Sequence, residues 1–293
     1  MVHFANIGHI GGAGHKQFDA GRPGSPGRGV MEIRMFGMLS VECGGAHHHG
    51  RQIGGAKARG LLELLLLARG RPVSKDALAL ALWPGPASQP VDAFRTLEHY
   101  VCMLRSRLCA DRELARTVLV TGSNSYRINL GNVDLDLDRF DALLLEAEQS
   151  CPQERRRLLT QALALVRGDL LEDSPYAPWA EDDRLQYCER VARCHLWLAG
   201  DLIADGDLHV VLRHCEAALR LAPYSEQAFR IQMVANQALG FGDMARSTFG
   251  RCRSVLGADL NVDPTSDTMS IARAIDAGAP ISELISMLSP VLV

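Results

Sequence analysis

The sequence lacks most of the features that mark an enzyme, a membrane protein or a secreted domain held by disulfides. It has no G-x-S-x-G, H-E-x-x-H or paired-carboxylate setting, so nothing in it indicates a catalytic centre. Its longest candidate for a membrane span, Leu61 to Ala68, is interrupted by Glu63 and is far shorter than the roughly 18 residues required. None of the 8 cysteines forms a C-x-x-C pair, and most lie in apolar helical contexts, which is typical of reduced cytosolic thiols. We therefore expect a cytoplasmic protein that is not an enzyme and needs no cofactor.

Residues 1–30 are rich in glycine and contain Pro23 and Pro26 in a Gly/Ser/Arg context. This composition predicts a disordered extension, and no apolar core of a secretory signal is present. The glycines between Gly8 and Gly14 do not form a phosphate-binding loop, because no strand precedes them and no Lys-Ser/Thr pair follows. Regular structure is expected from Met31 onward.

Charge is distributed unevenly over a length that suits two domains. Residues 31–130 hold 13 Lys and Arg against 8 Asp and Glu, whereas residues 131–293 hold 15 against 25. A basic surface attracts phosphate and an acidic one is repelled by it. A partner that carries phosphate groups is therefore expected to contact only the N-terminal part.

The pattern between Pro90 and Leu108 predicts an amphipathic helix, with Ser88 as its N-cap and Pro90 in its first turn. Its apolar stripe comprises Phe94, Leu97, Val101, Leu104 and Leu108. The opposite face presents Arg95, His99, Cys102 and Ser106. Taken alone, this is an ordinary helix with a solvated face; the neighbouring elements favour a DNA-recognition helix.

Two helices and a hairpin surround this helix. The first helix carries Leu61 and Leu65 and ends near Gly70, and the second has Ser74 as its N-cap and stops before Pro84. Alternating residues at 118–120 and 126–130 flank a turn-forming segment, which predicts a hairpin. Two short strands, 33–36 and 39–43, precede the helices. Three helices followed by a hairpin form a winged helix.

Beyond residue 134 the periodicity is helical nearly throughout. The predicted helices span residues 140–147, 155–166, 179–204, 209–221, 225–239 and 244–256. Asp138 and Asp141 resemble a capping arrangement for the first of them. The acidic residues 134, 136 and 138 do not form a calcium loop, because Arg139 and Leu145 replace the required Gly and Glu. Short breaks between the helices suggest tetratricopeptide-like hairpins.

An ordered set of motifs resembles the antibiotic regulatory protein (SARP) family of bacterial activators. In the N-terminal part, the OmpR/PhoB-type winged helix is matched by Gly54-Gly55-Ala56-Lys57-Ala58-Arg59, Pro72-Val73-Ser74-Lys75-Asp76-Ala77-Leu78, Leu82-Trp83-Pro84, Arg95-Thr96-Leu97-Glu98 and the segment Thr121 to Tyr126. In the C-terminal part, the bacterial transcriptional activator domain is matched by Val133-Asp134-Leu135-Asp136-Leu137-Asp138-Arg139-Phe140, Trp179 with Glu181, and Leu256-Gly257 to Val262-Asp263-Pro264. The resemblance covers about residues 31–276.

The resemblance implies a mainly α fold: an N-terminal winged helix-turn-helix with small β-sheets and a C-terminal all-α, tetratricopeptide-like repeat domain. We expect the winged helix at 31–130, the activator domain at 131–277 and a C-terminal tail at 278–293. Relatives bind direct repeats at promoters as dimers, recruit RNA polymerase and often control secondary-metabolite genes. The implied partners are therefore promoter DNA, RNA polymerase and a second copy of the chain, at the nucleoid in the cytoplasm.

The resemblance and the helix face together give the candidate DNA contacts. Base contacts are assigned to Arg95, Glu98, His99, Tyr100, Cys102 and Met103, and phosphate contacts to Lys57, Thr96, Arg105, Arg107, Ser123, Asn124 and Arg127. Met103 and Gly122 depart from the family, which tends to have arginine or polar residues at the first position and often a basic residue at the second.

Two other functions remain open from the residues. The winged helix could dock a protein instead of DNA, as part of a scaffold. Alternatively, the chain could be a redox- or metal-sensing repressor that uses its cysteines and His47 to His49, with Cys102 as an oxidisable thiol on the outer helix face. We assign no metal site, because three adjacent histidines cannot all point inward from one strand.

Overall fold

The structure, a computed structural model, describes residues 30–85 and 87–288. Apart from Val30, the predicted disordered extension lies outside the described residues. The strands are β1 (Met31–Arg34), β2 (Ser40–Cys43), β3 (Ala46–His49), β4 (Val73–Ser74), β5 (Leu119–Thr121), β6 (Ser125–Ile128) and β7 (Val133–Leu135). The helices are α1 (Ala56–Leu67), α2 (Lys75–Leu82), α3 (Ala93–Leu108), α4 (Arg112–Val118), α5 (Asp136–Glu148), α6 (Pro152–Leu165), α7 (Glu181–Ile203), α8 (Leu208–Leu221), α9 (Glu226–Ala238), α10 (Gly242–Val255), α11 (Ser266–Asp276) and α12 (Ile281–Leu288).

A four-stranded sheet opens the fold, in the order β3-β2-β1-β7. Met31 and Ile33 of β1 are buried while Glu32 and Arg34 are half-buried, which is the alternation of a strand with one face on a core. β7 follows the winged helix in sequence and pairs with β1 in parallel, with Ile33 opposite Leu135. The predicted N-terminal sheet is therefore present, and its last strand is supplied by the segment that leads into the helical part.

The three consecutive histidines lie on β3, at the outer edge of this sheet. His47 Nδ1 is 3.3 Å from Glu42 Oε2 on the neighbouring strand. Within the described ranges, no group of three or more His, Cys, Asp or Glu side chains could hold a metal ion.

The winged helix has the expected order of elements, with one error at the start of α3. Ser74 caps α2 as predicted, because its hydroxyl accepts from the Ala77 amide at 3.1 Å. Ser88 does not cap α3; its hydroxyl donates to the Gly85 carbonyl at 2.7 Å. The cap is Asp92, which accepts from the Arg95 amide at 2.9 Å, so Pro90 precedes the helix. A carboxylate at this position also interacts favourably with the helix dipole, whereas Ser88 is held in the turn before it.

Phe94 was wrongly placed on the buried stripe of α3. It is 40% exposed, while Leu97, Val101, Leu104 and Leu108 are buried as predicted. In the first turn it is Ala93, not Phe94, that packs against the core, so the buried stripe begins one position earlier than the spacing predicted.

The wing is the predicted hairpin, enlarged to a three-stranded sheet in the order β4-β6-β5. β4 contributes Val73, which pairs with Tyr126 of β6. Between α3 and the wing lies α4, which the sequence analysis did not predict. Its Asp111 N-cap accepts from the amides of Glu113 and Leu114, at 3.0 and 3.2 Å. Seven residues with only two buried positions give too short a periodic signal.

Two of the eight cysteines form a disulfide, so the prediction of reduced thiols is wrong for this pair. Cys43 ends β2 and Cys109 is the C-cap of α3, and their Cα atoms are 5.5 Å apart. They are 66 positions apart in sequence, and only the packing of α3 beside β2 brings them together. The other six are free thiols, of which Cys102 and Cys151 are exposed.

One hydrophobic core runs through the winged helix and the start of the helical part, from Met31 to Leu198. Asp136, the first residue of α5, links the helical part to the winged helix. Its Oδ2 accepts from the amides of Met35 and Phe36, just after β1, at 2.8 and 2.9 Å. Burial raises the pKa of this carboxyl. Phe36 also meets the ring of Phe140 edge-on, with centroids 5.3 Å apart. The two units are therefore packed against each other as one body.

Asp138 and Asp141 do not cap α5, which corrects the sequence analysis. The helix begins at Asp136 with Leu135 as its N-cap. Asp138 instead accepts from Arg69, and Asp141 accepts from Arg69 at 3.0 Å and from the Tyr187 hydroxyl at 2.8 Å. The guanidinium of Arg69 comes from the turn after α1, and this tertiary contact outcompetes the local capping pattern.

The remaining helices form the predicted repeat. α7 packs on α8, α8 on α9 and α9 on α10, as in stacked helical hairpins. All residues from Ala228 to Asn236 of α9 are buried, because α11 and α12 also cover this helix. These last two helices were not predicted; α12 lies in the segment described as a tail and buries Leu284 and Leu288. Within the described residues, no helix is both long and apolar enough to cross a membrane.

Candidate nucleic-acid interface

Five exposed residues of α3 lie on one side of the helix because of their spacing in the sequence. Arg95, Glu98, His99, Cys102 and Ser106 recur at intervals of three and four residues and are all exposed. We call these five residues the outer face of α3. Opposite to them, the buried leucines and Val101 fix the rotation of the helix on the core. The outer face therefore offers a guanidinium, a carboxylate, an imidazole, a thiol and a hydroxyl along one side of a 16-residue helix.

Glu98 is held by a residue that sequence reasoning missed. Lys75 Nζ, at the start of α2, donates to Glu98 Oε1 at 2.7 Å. This hydrogen bond raises the pKa of Lys75. Lys75 belongs to the motif that carried the family resemblance, but nothing in the spacing indicated that α2 would bring it to α3.

Two candidate base contacts are half-buried and engaged within the fold. The ring of Tyr100 stacks on Trp83, with centroids 6.2 Å apart and planes 29° apart. The terminal methyl of Met103 lies beside Gly54, where an added Cβ would come within 3.0 Å of it. These side chains border the outer face of α3, and their apolar parts are turned toward α2 and the start of α1.

The candidate phosphate contacts on α3 differ in exposure and in their hydrogen bonds within the protein. Arg107 is exposed in the last turn. Arg105 is half-buried and holds the wing: its Nε donates to the Leu119 carbonyl at 3.0 Å and its Nη2 to Thr121 Oγ1 at 2.8 Å. Burial lowers the pKa of this guanidinium, which nevertheless stays charged at neutral pH. Thr96 Oγ1 donates to the Asp92 carbonyl at 2.7 Å, so it belongs to the first turn of α3.

The other candidates lie on α1 and on the wing. The Lys57 ammonium donates to the carbonyl of Leu82, at the end of α2. In the wing turn, Ser123 and Asn124 are exposed, and Asn124 Nδ2 donates to Asp76 Oδ2 at 3.1 Å. Arg127 is half-buried on β6. At Gly122, which departs from the family pattern, an added Cβ would meet Ser125 Oγ at 2.6 Å, so a larger residue there would require the Ser125 hydroxyl to rotate away.

Together these groups can bind DNA in the way that winged helices do. An α-helix fits the major groove, where arginine recognises guanine and a carboxylate accepts from the cytosine amino group. Arginines and wing polar groups at the margins can contact phosphates, which sets orientation rather than sequence. The fold therefore defines the chain as a regulator with a DNA-binding winged helix attached to a helical repeat.

Comparison with known proteins agrees with this class. Residues 135–276 match the bacterial transcriptional activator domain. The transcriptional regulatory protein MoaR1 of Mycobacterium tuberculosis is 28% identical over 262 residues, covering 88% of this chain and 83% of that protein. The regulatory protein AfsR of Streptomyces coelicolor is 31% identical over 240 residues, which is 79% of this chain but 23% of that longer protein.

The same architecture occurs in a solved structure. Mycobacterium tuberculosis EmbR, in complex with a low-affinity phosphopeptide, superposes with a TM-score of 0.74 and 25% sequence identity, covering 89% of this chain and 69% of that chain. The predicted mainly α fold and the resemblance to the antibiotic regulatory protein family are thus confirmed. This chain is a transcriptional regulator that carries a bacterial transcriptional activator domain.

Proposed function

We propose that this protein activates transcription by placing the outer face of α3 in the major groove of promoter DNA. The observation that carries the proposal is the orientation of α3: its apolar stripe is buried and its polar face is exposed. Within this proposal, Arg95, His99 and Cys102 are the least encumbered base contacts. Arg107 and the wing residues Ser123 and Asn124 contact the flanking phosphates.

We further propose that two copies bind a direct repeat and that the helical part contacts RNA polymerase, in the cytoplasm at the nucleoid. The charge division supports this assignment, because 131–293 has ten more acidic than basic residues and would be repelled by DNA. Stacked helical hairpins present long surfaces suited to protein contacts. The function requires binding and no catalytic step.

An electrophoretic mobility shift with the full-length chain tests the proposal. Duplexes from upstream of the neighbouring genes should shift at about 50 mM salt and lose much of their affinity at about 200 mM, because phosphate contacts release counterions. A footprint should then show two half-sites on one side of the helix. Inserting about 5 base pairs between them turns one half-site to the opposite side and should abolish cooperative binding, whereas about 10 should preserve the helical phase.

No shift of any duplex at low salt would contradict the proposal and favour the protein-docking scaffold. A second candidate function, redox-dependent regulation, is favoured by the Cys43–Cys109 disulfide, which ties the end of α3 to β2. It predicts that reductant changes DNA affinity in the wild type but not in Cys43→Ala. Cys151→Ala, which removes an exposed thiol outside the winged helix, is the matched control. Equal affinity with and without reductant would exclude this second role.

A further inference from the structure

Three elements of the winged helix meet at Lys75. Lys75 is the first residue of α2, and its backbone amide donates to the Asn124 carbonyl in the wing turn at 3.0 Å. Its ammonium lies 5.6 Å from the ring centroid of Tyr126, a buried residue of β6. A cation over an aromatic face is attracted by the ring quadrupole. Both ends of Lys75 are therefore fixed by the wing, independently of α3.

The third contact of Lys75 is the ion pair with Glu98, and the two partners differ in exposure. The Lys75 side chain is 13% exposed, whereas that of Glu98 is 57% exposed. A long glutamate on a solvated helix face normally samples several rotamers, and ordering it costs entropy when a ligand binds. Here the more buried lysine, held by its wing contacts, orients the carboxylate in one direction before any ligand arrives.

The pairing leaves Glu98 able to bind a second donor. An ionised carboxylate has about four lone-pair positions, and the Lys75 bond at Oε1 occupies one of them. The paired lysine also offsets a negative charge that DNA phosphates would otherwise repel. An exposed, oriented and charge-compensated carboxylate on a groove-facing helix suits the cytosine N4 amino group, which donates hydrogen bonds in the major groove.

We propose that Lys75 is a positioning residue for sequence readout, which holds Glu98 so that its free lone pairs accept from a cytosine amino group. This inference rests on the proposed DNA-binding function and adds a specificity determinant to it. Lys75 itself does not touch the base. Its removal changes the preference at one base pair of each half-site, whereas a phosphate contact would change affinity for every sequence alike.

The test uses the full-length chain and duplexes selected from a random pool with the wild type. Each base pair of the selected half-site is then varied singly, and binding is measured for the wild type, Glu98→Gln, Lys75→Gln and the double variant. We expect Glu98→Gln to reduce the preference for cytosine at one position by about 5- to 100-fold. Lys75→Gln should reduce the preference at that same position, and the double variant should lose no more than Glu98→Gln alone.

Glu113→Gln is the matched control, since Glu113 is an exposed carboxylate of the same winged helix that pairs with Arg116 on α4. It should leave every base preference unchanged. If Lys75→Gln does not fold, Lys75→Arg and Glu98→Asp decide the matter. Lys75→Arg retains a cation beside Glu98 and should keep the cytosine preference; Glu98→Asp keeps a carboxylate but is one methylene shorter and should lose that preference.

Two results would overturn the role of Lys75 while leaving DNA binding intact. One is full retention of the cytosine preference in Lys75→Gln. The other is a uniform loss of affinity for all sequences together with a salt slope reduced by about one, which identifies a phosphate contact. A wild type that binds no duplex at low salt would instead contradict the proposed function itself, so the two failures are distinguishable.

Discussion

The indole N–H of Trp179 donates to the buried carboxylate of Glu63 at 3.2 Å, which joins the helical part to the first helix of the winged helix. Glu63 is fully buried on α1 and also accepts from Ser174 Oγ at 2.6 Å. Burial raises the pKa of Glu63. The same indole covers Gly60, where an added Cβ would be 2.8 Å from Cζ2 of Trp179. These contacts attach α1 of the winged helix to the helical part, on residues outside the outer face of α3.

The close packing of Trp179 on Gly60 can be tested through the stability of a Gly60 variant. Gly60→Ala places a methyl against Trp179 and Leu82, so we expect a loss of about 1–3 kcal/mol in the free energy of unfolding from overpacking. Gly250→Ala on α10 is the control, because an added Cβ there meets nothing within 4 Å and should stabilise the helix by up to about 1 kcal/mol. Chemical denaturation of both variants checks the prediction. Equal stabilisation by both would mean that Trp179 can move aside without cost.

A fragment that ends before β7 should fold poorly. Cutting at residue 130 exposes the edge of β1 and removes Asp136, which accepts from the amides of Met35 and Phe36. We expect residues 30–130 to lack a cooperative melting transition, because the cut removes the part of the shared core that covers Phe36, including Phe140 and Tyr187. Residues 30–203 should retain one, since they include the whole of the first core up to Leu198. Calorimetry distinguishes the outcomes, and cooperative melting of the shorter fragment would show that the winged helix is autonomous.

Substitutions on α3 should distinguish residues that contact bases from residues that contact phosphates. Arg95→Ala and His99→Ala should each weaken specific binding by about 1–3 kcal/mol. The difference in affinity between the specific site and random-sequence DNA should therefore decrease. Arg107→Ala should weaken all sequences alike. Competition binding measures both effects, with Arg253→Ala on the distant α10 as a control that should change neither. If Arg95→Ala and His99→Ala keep full sequence preference, α3 docks in another register.

The helical repeat should lose stability at acid pH through a histidine pair. His195 on α7 and His214 on α8 have their Nδ1 atoms 2.9 Å apart. Burial, with the neighbouring His214, lowers the pKa of His195 from 6.5 to about 4. The unfolded chain therefore binds a proton that the folded chain excludes between about pH 6.5 and 4, and stability should fall as pH decreases through that range.

Thermal melts from pH 7 to pH 4 check this prediction. His195→Gln should flatten the decrease, because the variant has no group at that position to protonate. His209→Gln, at an exposed position on the same α8, should leave the wild-type pH dependence in place. An unchanged slope in His195→Gln would show that His195 does not control the acid transition.

Local patterns were sufficient to predict most elements of the fold. The stripe of Leu97, Val101, Leu104 and Leu108 predicted both α3 and the direction of its outer face, because helical period is a property of neighbours in sequence. The Ser74 cap and the wing hairpin were predicted for the same reason. The start of α3 was misplaced because Ser88 and Asp92 are both good caps, and only the folded turn shows which one is used.

Contacts between distant segments were decided by the tertiary structure alone. The Cys43–Cys109 bond, the Lys75–Glu98 pair and the burial of Glu63 under Trp179 join residues 66, 23 and 116 positions apart. No periodicity records such pairings, because they depend on how the helices and sheets pack. By itself the sequence determined that α3 has a polar face, and packing decided which of those polar groups are held by other side chains, as Glu98 is by Lys75.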